Sequence, residues 1–151
     1  MLVYRISSSI YIEDLSGNGA KQYGGRWNEK GTPVVYFAES RAMAVMEILV
    51  HLRPEHVDKP FVLAVFEIPD SKILKIDIAD LPENWKTEQA KDDLRKIGDK
   101  FVEEGKYLIM KVPSVILEEE YNYILNPLHP DSKTVKLIER RDFIFDKRFK
   151  N

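Results

Sequence analysis

A chain of 151 residues is long enough to form one domain around a buried core. Its hydrophobic fraction of 44% and charged fraction of 32% are those of an ordinary soluble globular protein. A net charge of −2 and a pI near 6.0 argue against nucleic acid or an anionic membrane as the main partner. With no cysteine, neither a disulfide framework nor a thiolate metal site is available.

The segment Met1 to Ser9 lacks the basic start and apolar run of a signal peptide. No apolar stretch approaches the ~18 residues that a membrane span needs. The composition therefore predicts a soluble protein of the reducing cytoplasm.

Leu2 to Ile6 (LVYRI) is β-prone and predicts a first strand, interrupted by Arg5. Ser7 to Tyr23 has no period and collects Ser, Gly and Asn, which predicts a loop. Gly24 and Gly25 lead into Arg26, Trp27 and Asn28. Pro33 to Ala38 (PVVYFA) has the β-branched and aromatic content of a buried strand. Ser40 is a candidate N-cap for a helix running to about His51. Between Ala42 and Val50 the only polar side chain is Glu47, which predicts a helix buried on nearly every face. A carboxylate in that setting needs a partner or must give up its charge.

Phe61 to Ile68 (FVLAVFEI) reads as the most central strand, and Ile73 to Ile78 as a half-exposed one. Thr87 opens a charged helix reaching roughly Ile97, with Gly98 breaking or bending it. Tyr107 to Val112 is a strand ended by Pro113, with Ser114 next, and Tyr121 to Leu125 is another. Val135 to Ile138 and Phe143 to Phe145 flank a charged turn and suggest a terminal hairpin. Strands outnumber helices, with no repeat and no linker, so the expected fold is a single compact α+β domain over residues 1–151.

The three histidines, His51, His56 and His129, have no ligand spacing, so no metal site is expected. Neither a G-x-S-x-G motif nor a P-loop occurs. Arg26 has two readings. Its planar guanidinium between glycine and tryptophan suits a phosphate bidentately, or it stacks on Trp27. Tyr36 and Phe37 must face opposite sides of their strand. The basic terminal run ERRDFIFDKRFK reads as the wet face of the hairpin.

These residues together resemble the RES-domain family, toxins of a bacterial toxin–antitoxin class paired with Xre-type antitoxins. The family's arginine, glutamate and serine match Arg26 in GGRWN, Glu47 in the helix after PVVYFAES, and Ser114 in KVPSVI. Tyr36 matches its functional tyrosine, and Tyr4-Arg5-Ile6, Asn122 and LNPLHPD extend the likeness over almost the whole chain.

The resemblance implies an ADP-ribosyltransferase-like fold with a central mixed or antiparallel sheet, and NAD as substrate. It implies Arg26, Tyr36, Glu47 and Ser114 as catalytic residues. Arg26 would grip the pyrophosphate, alone or with Arg5. Trp27 or Tyr36 would offer an aromatic face, and Asn28 would join Arg5, Arg26 and Trp27 in binding the dinucleotide. Ser114 would orient Glu47 or bond the carboxamide. The implied activity is cleavage of the nicotinamide–ribose bond, depleting NAD. The acceptor stays open among water, phosphate and a protein side chain, and a non-catalytic NAD-binding module is the rival. The implied partner is a cognate Xre-type antitoxin rather than DNA.

Overall fold

The computed structural model describes residues 1–150. Seven strands form one sheet: β1 (Leu2–Ser7), β2 (Val35–Ala38), β3 (Phe61–Glu67), β4 (Ile73–Lys75), β5 (Ile109–Pro113), β6 (Tyr121–Leu125) and β7 (Lys136–Phe143). Their order is β4-β5-β6-β2-β1-β3-β7. Only β4 and β5 run parallel, and every other pairing is antiparallel. Three helices, α1 (Asn18–Tyr23), α2 (Arg41–Leu49) and α3 (Lys91–Glu104), complete the α+β domain.

β3 is flanked by β1 and β7, and Val62 to Phe66 are all buried, which accounts for its uninterrupted apolar sequence. Phe37 on β2 enters the cluster of Val3, Val35, Ala64 and Phe66 on one face. Tyr36 points to the other face, where Trp27, Leu94, Phe101, Met110 and Ile124 pack. α2 lies over β1, with Met43 and Ala44 against Ala38, Tyr4 and Ile6.

One feature of the sheet creates the cleft. β1 pairs with β3 along its length, from Leu2↔Glu67 to Ser7↔Val62. Its pairing with β2 is confined to Tyr4↔Ala38. Beyond that point the two strands splay, and a cavity opens between Arg5 to Ser7 on one side and Val35 to Phe37 on the other.

Several expected elements differ. Within the expected loop Ser7 to Tyr23, Asn18–Tyr23 is helical, started by Gly17 at φ 77 and stopped by Gly24 at φ 73. A helix this short carries too few apolar residues to show a period. α2 has the expected Ser40 cap, whose hydroxyl accepts from Met43 N–H, but it ends at Leu49 and is not buried all round. Met46 is 39% and Val50 57% exposed, so apolar composition overstated its burial. β4 stops at Lys75, and Ile78 begins a 3₁₀ turn.

The charged helix starts later than expected, and Gly98 does not interrupt it. Gly98 lies where α3 touches the backbone of Trp27, and a Cβ there would run into the Trp27 carbonyl oxygen. Here glycine records a close approach between backbones. The expected terminal hairpin is instead one strand, because Lys136 to Phe143 pairs continuously with β3 apart from a register shift. Its charged middle is an exposed sheet edge.

Candidate active site

Arg26 sits on a turn whose backbone is tied at both ends. Gly24 N–H donates to Ala20 O at 2.8 Å, closing α1, and Gly25 N–H donates to Asn28 O at 3.0 Å. Gly25 has no room for a side chain, since a Cβ would lie 2.7 Å from the Tyr36 hydroxyl. That hydroxyl accepts from Trp27 N–H at 3.2 Å and donates to Asn28 Oδ1 at 2.6 Å. Burial pushes the Tyr36 phenol far up from its ordinary value, so it stays a protonated donor.

Asn28 is fully buried and its side chain is committed. Nδ2 donates to the carbonyls of Ala20 at 2.8 Å, Thr32 at 3.0 Å and Glu29 at 3.2 Å, while Oδ1 takes the phenol. It does not line the cavity. Asn28, expected among the dinucleotide-binding residues, thus lies behind the cavity wall, where it holds the turn and the phenol. Trp27 is 3% exposed, packed in the core with Leu94 and Phe101, and is also among the residues that line the cavity. Arg26 is not among the cation–π pairs of the described residues, so stacking on Trp27 is not its role. Its Nη1 is buried with no hydrogen-bond partner. Arg26 itself lines the cavity, and a guanidinium with an uncommitted nitrogen is free to turn its planar fork to an anion there.

Arg5 is not the solvated strand residue that its position allows. Its Nη1 donates to the carbonyls of Ile12 at 3.1 Å and Asp14 at 2.9 Å, tethering the loop after β1 to the cavity wall. Burial lowers the Arg5 pKa from its ordinary value, and the Asp14 charge opposes the shift.

Glu47 projects from α2 into the same cavity. Ser114 Oγ and Asn122 Nδ2 both donate to its Oε1 at 2.7 Å. Ser114 comes from the turn after β5 and is fully buried. Its Oγ accepts from Ile116 N–H at 3.1 Å, which leaves the hydroxyl proton to point at the carboxylate. Asn122 comes from β6, where its backbone lies between Ala38 and Val112. Oε1 is thus fixed by two donors, and neither of these bonds uses Oε2.

The cavity measures about 470 Å³ and is lined by Arg5, Arg26, Trp27, Tyr36, Glu47 and Asn122, among others. That is within the ~300–1,000 Å³ usual for small-molecule sites. One guanidinium with an uncommitted nitrogen and one oriented carboxylate line it. Of the sequence candidates, Arg5, Arg26, Trp27, Tyr36 and Glu47 line it, while Ser114 and Asn28 stand behind it. Asn122 was visible only as a motif match. The signal for its role is a polar side chain at mid-strand in YNYIL, at a position that meets α2 only once the sheet is assembled. Among the described residues no group of three His, Cys, Asp or Glu could hold a metal ion, and no helix is long and apolar enough to cross a membrane.

Comparison with known proteins points one way. Toxin Res from Photorhabdus laumondii is 39% identical over 150 residues, covering 98% of this chain and 96% of that toxin. The Prs ADP-ribosylating toxin of Sphingobium sp. is 39% identical over 139 residues, covering 90% of this chain and 86% of its own. Among solved structures, the crystal structure of the M. tuberculosis MbcT–MbcA toxin–antitoxin complex supplies a chain that superposes with a TM-score of 0.79. That match covers 95% of this chain and 84% of the other at 16% identity, and so attests the fold. The RES domain family model matches residues 2–146. With that match and relatives of 39% identity over nearly the whole length, this chain belongs to the RES domain family.

Proposed function

We propose that this protein is the toxin of a toxin–antitoxin pair and that it cleaves the nicotinamide–ribose bond of NAD. The observation that carries the reading is that one cavity is lined both by Arg26, whose guanidinium has an unpaired nitrogen, and by a Glu47 carboxylate oriented by Ser114 and Asn122. NAD offers the complementary sequence of groups, an anionic pyrophosphate next to a ribose that becomes positive during the reaction.

In the proposed reaction Arg26 holds the pyrophosphate. The bond between the ribose anomeric carbon and the nicotinamide nitrogen breaks, and its electron pair goes to the ring, which leaves neutral. The ribosyl centre becomes oxocarbenium-like, and a carboxylate stabilises such a centre as in glycoside chemistry. Glu47, with Oε1 pinned, presents a fixed charge without reorganising at the moment of reaction. Because nicotinamide leaves as a neutral ring, no second acid is needed to protonate it. Water then attacks the anomeric carbon and loses a proton, giving ADP-ribose; phosphate in the same position would give the 1-phosphate.

A second reading has a specific observation behind it. The Sphingobium relative is named an ADP-ribosylating toxin. Transfer to a protein side chain uses the same cleft and differs only in the acceptor. By analogy with the complex that gives the fold match, the partner is a cognate antitoxin; the family resemblance in the sequence makes it one of the Xre type.

The test is nicotinamide release from NAD by the purified chain, with mass spectrometry of the ADP-ribosyl product in water, in phosphate and with cell extract. Glu47→Gln should keep the fold and lose at least ~100-fold in rate, the scale for one electrostatic stabiliser. Full NAD cleavage by Glu47→Gln would end the proposal.

A further inference from the structure

The turn that carries Arg26 rests on a helix that contributes nothing to the cavity lining. Three residues of α3 meet the turn backbone from one helical face, at i, i+3 and i+4. Arg95 Nε donates to the Gly25 carbonyl at 2.8 Å. Asp99 Oδ1 accepts from Glu29 N–H at 3.1 Å. Between them Gly98 lies against the Trp27 carbonyl with no space for a Cβ. The backbone from Gly25 to Glu29 is thus held at both ends and pressed against the helix in the middle.

We infer that Arg95 is a positioning residue for Arg26, and that Arg95, Gly98 and Asp99 form a clamp setting the height of the anion-binding guanidinium over the cleft. The inference deepens the proposed NAD reading and rests on it. Its physical basis is directionality. Gly24 at φ 73 and the side-chain-free Gly25 leave the start of the turn with little stiffness of its own. The Tyr36 and Asn28 bonds fix the far side of the turn through Trp27 and Asn28. The Gly25 carbonyl, one peptide before Arg26, is fixed by Arg95 alone among the side chains that bond the turn. A peptide plane free to rotate there swings the Arg26 Cα and the guanidinium at the end of its side chain. Arg95 also faces Asp92 at 3.8 Å across one helical turn, a surface pair that adds little rigidity.

Merely structural and positioning roles are separated by a double-mutant cycle, because a residue that acts through another has no effect once that other is gone. NAD affinity would be measured by calorimetry on the full-length chain in a Glu47→Gln background, which slows turnover at least ~100-fold. Arg95→Ala is expected to weaken NAD binding about tenfold when Arg26 is present, and to change nothing when Arg26 is replaced by Ala. Asp99→Ala, at the other end of the clamp, is expected to show the same pattern more weakly, and it carries the test if Arg95→Ala does not fold. Equal losses in both Arg26 backgrounds, or no loss in either, would overturn the clamp while leaving the NAD site intact. No NAD binding by the Arg26-containing chain, wild type included, would overturn both.

Discussion

Ser114, in the turn after β5, and Asn122, eight positions on in β6, deliver their donors to a single oxygen of Glu47, each at 2.7 Å. The convergence needs β5 and β6 side by side, with Val112 opposite Asn122, and α2 packed on the neighbouring β1 and β2. Its effect is to hold one carboxylate oxygen while neither bond engages the other.

That geometry makes the two donors partly redundant. Loss of one hydrogen bond to a charged group costs about 1.5 kcal/mol, close to a tenfold rate change. Ser114→Ala and Asn122→Ala should each slow nicotinamide release about tenfold, and the double variant should fall well below either. Ser114→Ala should also lower stability, because it removes the acceptor of Ile116 N–H. Initial rates with thermal melts decide it; an Asn122→Ala enzyme running at the native rate would show that Ser114 alone orients the carboxylate.

Arg26→Lys tests the planar fork. Lysine keeps the charge but offers a point donor that cannot span two phosphate oxygens. NAD affinity should fall by about 1.5 kcal/mol, roughly tenfold, with the melting temperature unchanged. Unchanged affinity by calorimetry would mean that Arg26 does not touch the pyrophosphate.

The contrast between these residues and the clamp shows what a sequence discloses. Arg26, Tyr36 and Glu47 stand out locally: glycines surround the first, an apolar strand carries the second and an apolar helix the third. Their convergence follows from three consecutive elements packing together. Ser114 and Asn122 depend on register between distant strands, which no local pattern encodes. Arg95 and Asp99 look like any charged pair on a wet helix, and Gly98 looks like a breaker until α3 meets Trp27. The terminal hairpin was misread for a similar reason: a charged stretch within a strand mimics a turn when that strand is the sheet edge. The cleft itself, made by strands that part after Tyr4↔Ala38, leaves no mark in composition.

Tyr36→Phe separates positioning from chemistry. The substitution leaves Trp27 N–H without its acceptor and Asn28 Oδ1 without its donor, both in the interior. An unsatisfied buried polar group costs about 1–3 kcal/mol. Urea denaturation should therefore show a loss of that size, and NAD cleavage should fall because the turn carrying Arg26 loosens. Native stability would show that the two groups find other partners.

Glu39 supplies the pH dependence. It lies just after β2, where Glu39 N–H donates to Tyr121 O at 3.3 Å. Burial raises its pKa from the ordinary 4.5, and the hydrogen bond to Glu120 raises it further. The Tyr121 backbone bond and the Lys111 charge oppose the shift. The sign follows from linkage: a carboxyl whose folded pKa exceeds its unfolded one binds its proton more tightly in the folded state. Its contribution to stability is complete below the unfolded value of 4.5 and is lost as pH rises through the folded pKa. Above that window the ionised Glu39 faces Glu120, and the Lys111 charge opposes that repulsion. Glu39→Gln, which is neutral at every pH, should therefore melt higher than the native chain near pH 7. The gap should narrow as the pH falls towards about 4, where the native carboxyl is protonated as well. Parallel melting curves across that range measure it. A gap that stays constant with pH would assign the effect to packing, and a gap that widens in acid would reverse the sign of the coupling between Glu39 and Glu120.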